Sequence, residues 1–184
     1  MAPGTRTAGA VTAPPGAGYG RRMTSESADP AVPNPLARLA ELGLTLPPVV
    51  APLASYVPAR RSGTLVFTAG QLPFVDGQLP SAGKVGAQVG PDEAQGLAAV
   101  AALNGLAAVH DAVGLDRVVG IVKVVGYVAS APDFTGQPAV VNGASDLLGS
   151  VFGPAAAHAR SAVGVAALPL DAPVEIELIV EIAP

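Results

Sequence analysis

The chain has 184 residues, no cysteine and a formal charge of −4 from 10 basic and 14 acidic residues. A domain of this size buries a core without disulfides or a structural metal, and the lack of cysteine removes thiolate nucleophiles, disulfide frameworks and cysteine-based zinc or iron–sulfur sites. The cations are scattered and aromatics make up 4% of the chain, so no basic stacking surface for nucleic acid is expected.

Residues 1–33 are rich in Gly and Pro without periodicity and read as a disordered N-terminal extension, with the folded domain over 34–184. Arg21-Arg22 is followed by Met23-Thr24-Ser25-Glu26 where an export signal would have an apolar run, and Met23 itself could serve as the start. Arg, Asp, Gly or Pro breaks each apolar run before the ~20 residues of a spanning helix, so a membrane partner is not expected.

Asn34-Pro35, then Leu36, Leu39, Ala40 and Leu42, then Gly43, has the cap, first-turn proline and glycine stop of a short helix. Tyr56 to Arg60, a turn at Arg61-Ser62-Gly63 and Thr64 to Ala69 read as a hairpin, and Asp76-Gly77 as a second tight turn. Pro91-Asp92-Glu93 opens a helix to about Val113, stopped by Gly114, whose Gly96 and Gly105 suit close packing on a sheet. Arg117 to Ser130 is a strand too apolar for a sheet edge, and a second long helix covers Ala139 to Phe152, delayed by Pro138.

The last 27 residues carry the chemistry. Alternation from Arg160 to Ala167 marks one strand, and Val174, Ile176, Leu178, Val180 and Ile182 alternate with Glu175, Glu177, Ile179 and Glu181 on another. If Leu168 to Pro173 closes an antiparallel hairpin, Arg160 faces Glu181 in a surface ion pair contributing ~0.2–1 kcal/mol. Glu175 then lies roughly 20 Å from the Arg160 level, so a pocket using both would lie between subunits. The order β-β-α-β-α-β-β predicts an α+β domain, one mixed sheet with two main helices on one face.

Two histidines, His110 and His158, are too few for a metal site unless carboxylates complete it, and no metal is expected. His158 stands two residues before Arg160. A place in a cleft and a hydrogen bond at the strand start are both open to it. No serine-elbow motif is present, and Gly16, Gly18 and Gly20 have no strand before them to make a phosphate loop.

Thr68-Ala69-Gly70-Gln71-Leu72-Pro73, taken with Ala159-Arg160-Ser161, Val165-Ala166, Leu168-Pro169 and Val174-Glu175-Ile176-Glu177, resembles the RidA/YjgF family, also called the L-PSP endoribonuclease family. The N-terminal helix and His158-Ala159-Arg160 are most similar to its YjgF-like, chorismate mutase-like subgroup. The resemblance covers about residues 34–184. It implies a chorismate mutase-like fold, a homotrimer with ligand clefts between subunits, a cytoplasmic location and no cofactor. Active members hydrolyse 2-imino acids or their enamine tautomers to 2-keto acids and ammonia. By motif, Arg160 binds the substrate carboxylate and Glu175 activates water, with Tyr56, Gly70, Asn142 and the Ala162 carbonyl lining the pocket. Ala69 stands where active members commonly have serine and Ala162 where cysteine is frequent, which makes the cleft less polar. The resemblance therefore also admits a non-catalytic protein that binds small carboxylates. Ribonuclease activity ranks third, because the chain is acidic and has no histidine pair suited to RNA cleavage.

Overall fold

A computed structural model describes residues 34–49 and 55–184. The expected extension over 1–33 lies outside the described residues. α1 spans Pro35–Glu41, and Asn34 Oδ1 caps it by accepting from the Leu36 and Ala37 amides at 3.0 and 3.2 Å, a contact contributing about 1 kcal/mol. The hairpin of β1 (Ala59–Ser62) and β2 (Leu65–Thr68) turns at Gly63-Thr64, and Tyr56 precedes its first strand. Asp76 and Gly77 both have positive φ, and Val75 and Gln78 exchange two backbone hydrogen bonds around them, as the two-residue turn requires.

α2 spans Pro91–Val113 and α3 spans Gln137–Phe152, with Pro138 inside the first turn, where its missing N–H costs nothing. The helices touch closely at Gly143, where a side chain would run into the Gln95 carbonyl. Gly105 likewise lets α2 close on Leu178. Gly96 faces open space and plays no such part. By length and composition α2 could cross a membrane, but half of its most apolar window is buried inside the protein; packing on the sheet and on α3 accounts for its composition.

β3 (Val118–Ala129), β4 (Ala159–Val165) and β5 (Val174–Ile182) complete one five-stranded sheet in the order β1-β2-β5-β3-β4. Val174, Ile176, Leu178, Val180 and Ile182 are buried under the helices, each contributing about 1.5–3 kcal/mol. This is the α+β architecture expected.

The hairpin expected between the last two strands is not formed. β3 lies between them, pairing parallel with β4 and antiparallel with β5. The link from Ala166 to Pro173 is a crossover that contains a short 3-10 turn, with Leu170 and Asp171 at φ 57° and 58°. A strand as apolar as β3 needs a neighbour on each edge, and this requirement overrides the proximity of β4 and β5 in sequence. Glu181 consequently faces Leu65 and Gly120, and the expected Arg160–Glu181 ion pair is absent.

Candidate functional site

Register places Arg160 beside Val124, which pairs with Leu178 on its other side, whereas Glu175 pairs with Tyr127, which is beside Val163. The two functional candidates are thus two strands and three residues apart, roughly 14 Å along the sheet. They also point to opposite faces. Paired residues share a face, so Arg160 goes with buried Val124 on the helix side and Glu175 with Tyr127 on the uncovered side. The expectation that arginine and the glutamates share a face is corrected, because it depended on the hairpin that does not form.

On the helix side, Arg160 reaches from the edge strand to α3. Its Nη1 donates to Asn142 Oδ1 at 2.7 Å and to Ser145 Oγ at 3.0 Å, and its Nη2 donates to the Pro138 carbonyl at 3.3 Å. Three acceptors at helical spacing 138, 142 and 145 therefore hold one end of the guanidinium. Among the described residues, no acceptor takes Nε–H or the second Nη2 hydrogen. These two donors form a fork suited to a carboxylate. Asn142, expected in the pocket, is a partner of Arg160.

Ala162 lies two residues along the same strand, half-buried against the core. The Val165 carbonyl accepts from Ser130 N at 3.1 Å and so faces β3. Backbone alternation then turns the Arg160 and Ala162 carbonyls toward the free edge of the sheet, where the Ala162 oxygen is open to a donor.

On the uncovered side, the Glu175 carboxylate lies directly over Gly70. A Cβ there would overlap Oε1 and come within 2.6 Å of Cδ, so a side chain at this position would require the carboxylate to move. Gly70 is held by β-bridge bonds of its neighbour, with Gln71 N donating to the Ile176 carbonyl at 2.9 Å and Ile176 N to that of Gln71 at 3.0 Å. Burial, and secondarily the negative Glu177, hold the Glu175 carboxyl above the ordinary carboxylate range. Tyr127, which sequence reasoning missed, donates from its hydroxyl to Glu177 Oε2 at 3.4 Å. Its phenol is raised by burial first, then by Glu177 and Glu175. Tyr56 is exposed before β1, at the end of the sheet where Ala69 N bonds the Pro58 carbonyl at 2.8 Å.

One chain thus carries two separate groups of candidate residues. Arg160, Asn142 and Ala162 lie at the β4 edge, whereas Glu175 and Gly70 lie on the uncovered face, near the end of the sheet that Tyr56 precedes. His158 and Ser145, also missed as a pair, adjoin the first group, with Ser145 Oγ 3.0 Å from His158 Nε2. Among the described residues, no cluster of three or more metal-type ligands is present.

The sheet order and two-helix layer define the chorismate mutase-like class of α+β domains. The chain belongs to the YjgF family: the family model described as "YjgF/chorismate_mutase-like, putative endoribonuclease" matches residues 36–182. Protein TCP17 of Trypanosoma cruzi is 44% identical over 148 residues, 79% of this chain and 92% of that protein. The crystal structure of Atu1372 from Agrobacterium tumefaciens, a protein of unknown function, superposes with a TM-score of 0.76 at 44% identity, covering 81% of this chain and 92% of that one. E. coli TdcF, solved with bound serine, gives a TM-score of 0.51 at 27% identity over 74% of this chain and 93% of its own.

Proposed function

We propose that the protein is a RidA-type hydrolase of 2-imino acids and their enamine tautomers, working at clefts between subunits of a homotrimer in which Arg160 of one chain meets Glu175 of its neighbour. The observation that carries the reading is the division of the site: a guanidinium braced on α3 with one fork free, and a desolvated carboxylate over Gly70 on the opposite sheet face. Neither half reaches the other within a chain. The uncovered face supplies a surface for assembly, since Phe67 and Val163 are 41% and 45% exposed there.

In this reading, the Nε/Nη2 fork of Arg160 takes the substrate carboxylate and the Ala162 carbonyl accepts from the iminium N–H. Glu175, its pKa raised by burial, removes a proton from water as its oxygen bonds to the imine carbon, giving a tetrahedral amino alcohol. Glu175 passes that proton to the nitrogen and takes the hydroxyl proton as the carbon–nitrogen bond breaks, so that 2-keto acid and ammonia leave and Glu175 then releases its proton to solvent. TdcF holding serine, itself a small carboxylate, supports a carboxylate-bearing ligand.

Ala69 and Ala162 favour a second reading, in which the same arginine binds a carboxylate without turnover. Keto-acid release from freshly generated imino acids separates the two. Turnover lost in Arg160→Ala and Glu175→Gln supports the hydrolase, whereas saturable binding without turnover supports the binder. The ribonuclease activity in the family description is less well supported: Glu175, Glu177 and Glu181 on the uncovered face would repel a phosphate backbone.

A further inference from the structure

His158 and Ser145 form a chain of hydrogen bonds behind Arg160 in which every proton can be placed. The Ala156 carbonyl, which contacts His158 Nδ1, can only accept, so Nδ1 carries a hydrogen. In the neutral ring Nε2 is then an acceptor, and among the described residues the hydrogen within its reach, at 3.0 Å, is that of the Ser145 hydroxyl. Arg160 Nη1 can only donate, so Ser145 Oγ receives it at 3.0 Å with a lone pair. With the ring neutral, the chain runs in one direction: Arg160 to Ser145, Ser145 to His158, His158 to the backbone.

We propose that His158 is a positioning residue that acts through Ser145 to set the plane of the Arg160 guanidinium, making the protein selective for ligands with a planar carboxylate. The inference rests on the reading of Arg160 as the carboxylate anchor. A serine hydroxyl in mid-helix ordinarily turns to the carbonyl one turn back. The histidine acceptor directs that hydrogen away and leaves the lone pair aimed at Nη1. With both Nη1 hydrogens and one Nη2 hydrogen committed to α3, the guanidinium cannot rotate, and the fork of Nε–H and Nη2–H stays at the strand edge. Without the relay, Nη1 keeps Asn142 alone and the plane can swing.

The test is calorimetric titration of the full-length protein with 2-oxobutanoate and, separately, with 2-oxobutanamide, which has the same shape but no carboxylate. Ser145→Ala and His158→Phe are expected to weaken 2-oxobutanoate binding about five- to tenfold, the scale of one ordinary hydrogen bond, and to leave the amide unchanged. His158→Gln, which can donate to Ala156 and accept from Ser145, is expected to restore wild-type affinity. Alanine is the best helix former, so Ser145→Ala should keep α3 intact, which thermal melting checks. Equal losses for both ligands, or failure of His158→Gln to rescue, would overturn the relay. If Arg160→Ala loses 2-oxobutanoate while Ser145→Ala and His158→Phe retain it, the relay falls and the anchor stands. If Arg160→Ala binds as wild type, both fall.

Discussion

Gly70→Ala tests the Glu175 half of the site in isolation. The added methyl would occupy the space of Glu175 Oε1, 2.6 Å from Cδ and 3.0 Å from Cγ. Gly70 is not in the left-handed region, so alanine fits the backbone and the carboxylate, at the end of a flexible side chain, must move. Displacement should cost about 1 kcal/mol of stability or less. Its effect on the carboxyl is larger in kind. Moving toward water removes the desolvation that is the main cause of its raised pKa, so the Glu175 titration should fall toward the ordinary value of about 4.3. A general base so displaced should lose about 10²–10⁴ in turnover, with Arg160-dependent 2-oxobutanoate affinity nearly unchanged. The assays are carbon-13 NMR titration of the glutamate carboxyls, keto-acid release and calorimetry. An unchanged Glu175 titration in Gly70→Ala would refute the contact itself, and unchanged turnover would refute the assigned role.

Because the folded pKa of Glu175 is raised above its unfolded value, ionising it penalises the native state, so its contribution is most favourable below the unfolded pKa and declines as pH rises through the folded one. Glu175→Gln should therefore melt higher than wild type at pH 8 and the same below about pH 4; a variant equally destabilised at both would contradict the desolvation account. Gly143→Ala should cost about 1–3 kcal/mol, because its methyl meets the Gln95 carbonyl of the opposed helix; denaturant unfolding showing no loss would mean that the α2–α3 contact is looser than described.

Much of the fold was legible because its signals are local. Asn34 and Gly43 bound α1, Pro91 and Gly114 bound α2 at its observed ends, and the alternation in β5 names the residues that are buried. Strand order was not legible in this way. β4 and β5 alternate cleanly and adjoin in sequence, which favours a hairpin, but β3, apolar on both faces, lies between them. The prolines at 169 and 173 and the length of the 166–173 link were the available signs of a crossover. That single error put Arg160 and Glu175 on one face and made Glu181 the arginine's partner. Both registers keep Arg160 and Glu175 apart within one chain. Asn142 was found by family pattern, while Ser145 was missed although it lies three residues on, on the same helix face as Asn142. Tyr127 was missed because its place opposite Glu175 depends on the β3–β5 register.

The division of the site between chains is tested most directly by complementation. Arg160→Ala and Glu175→Gln, each inactive alone, are co-expressed and purified as mixed assemblies. If each cleft takes its arginine from one chain and its glutamate from the next, random mixing in equal amounts restores about a quarter of the clefts of a cyclic trimer, and keto-acid release should recover to about that fraction. No recovery, with mixed assemblies verified by mass spectrometry, would contradict the account.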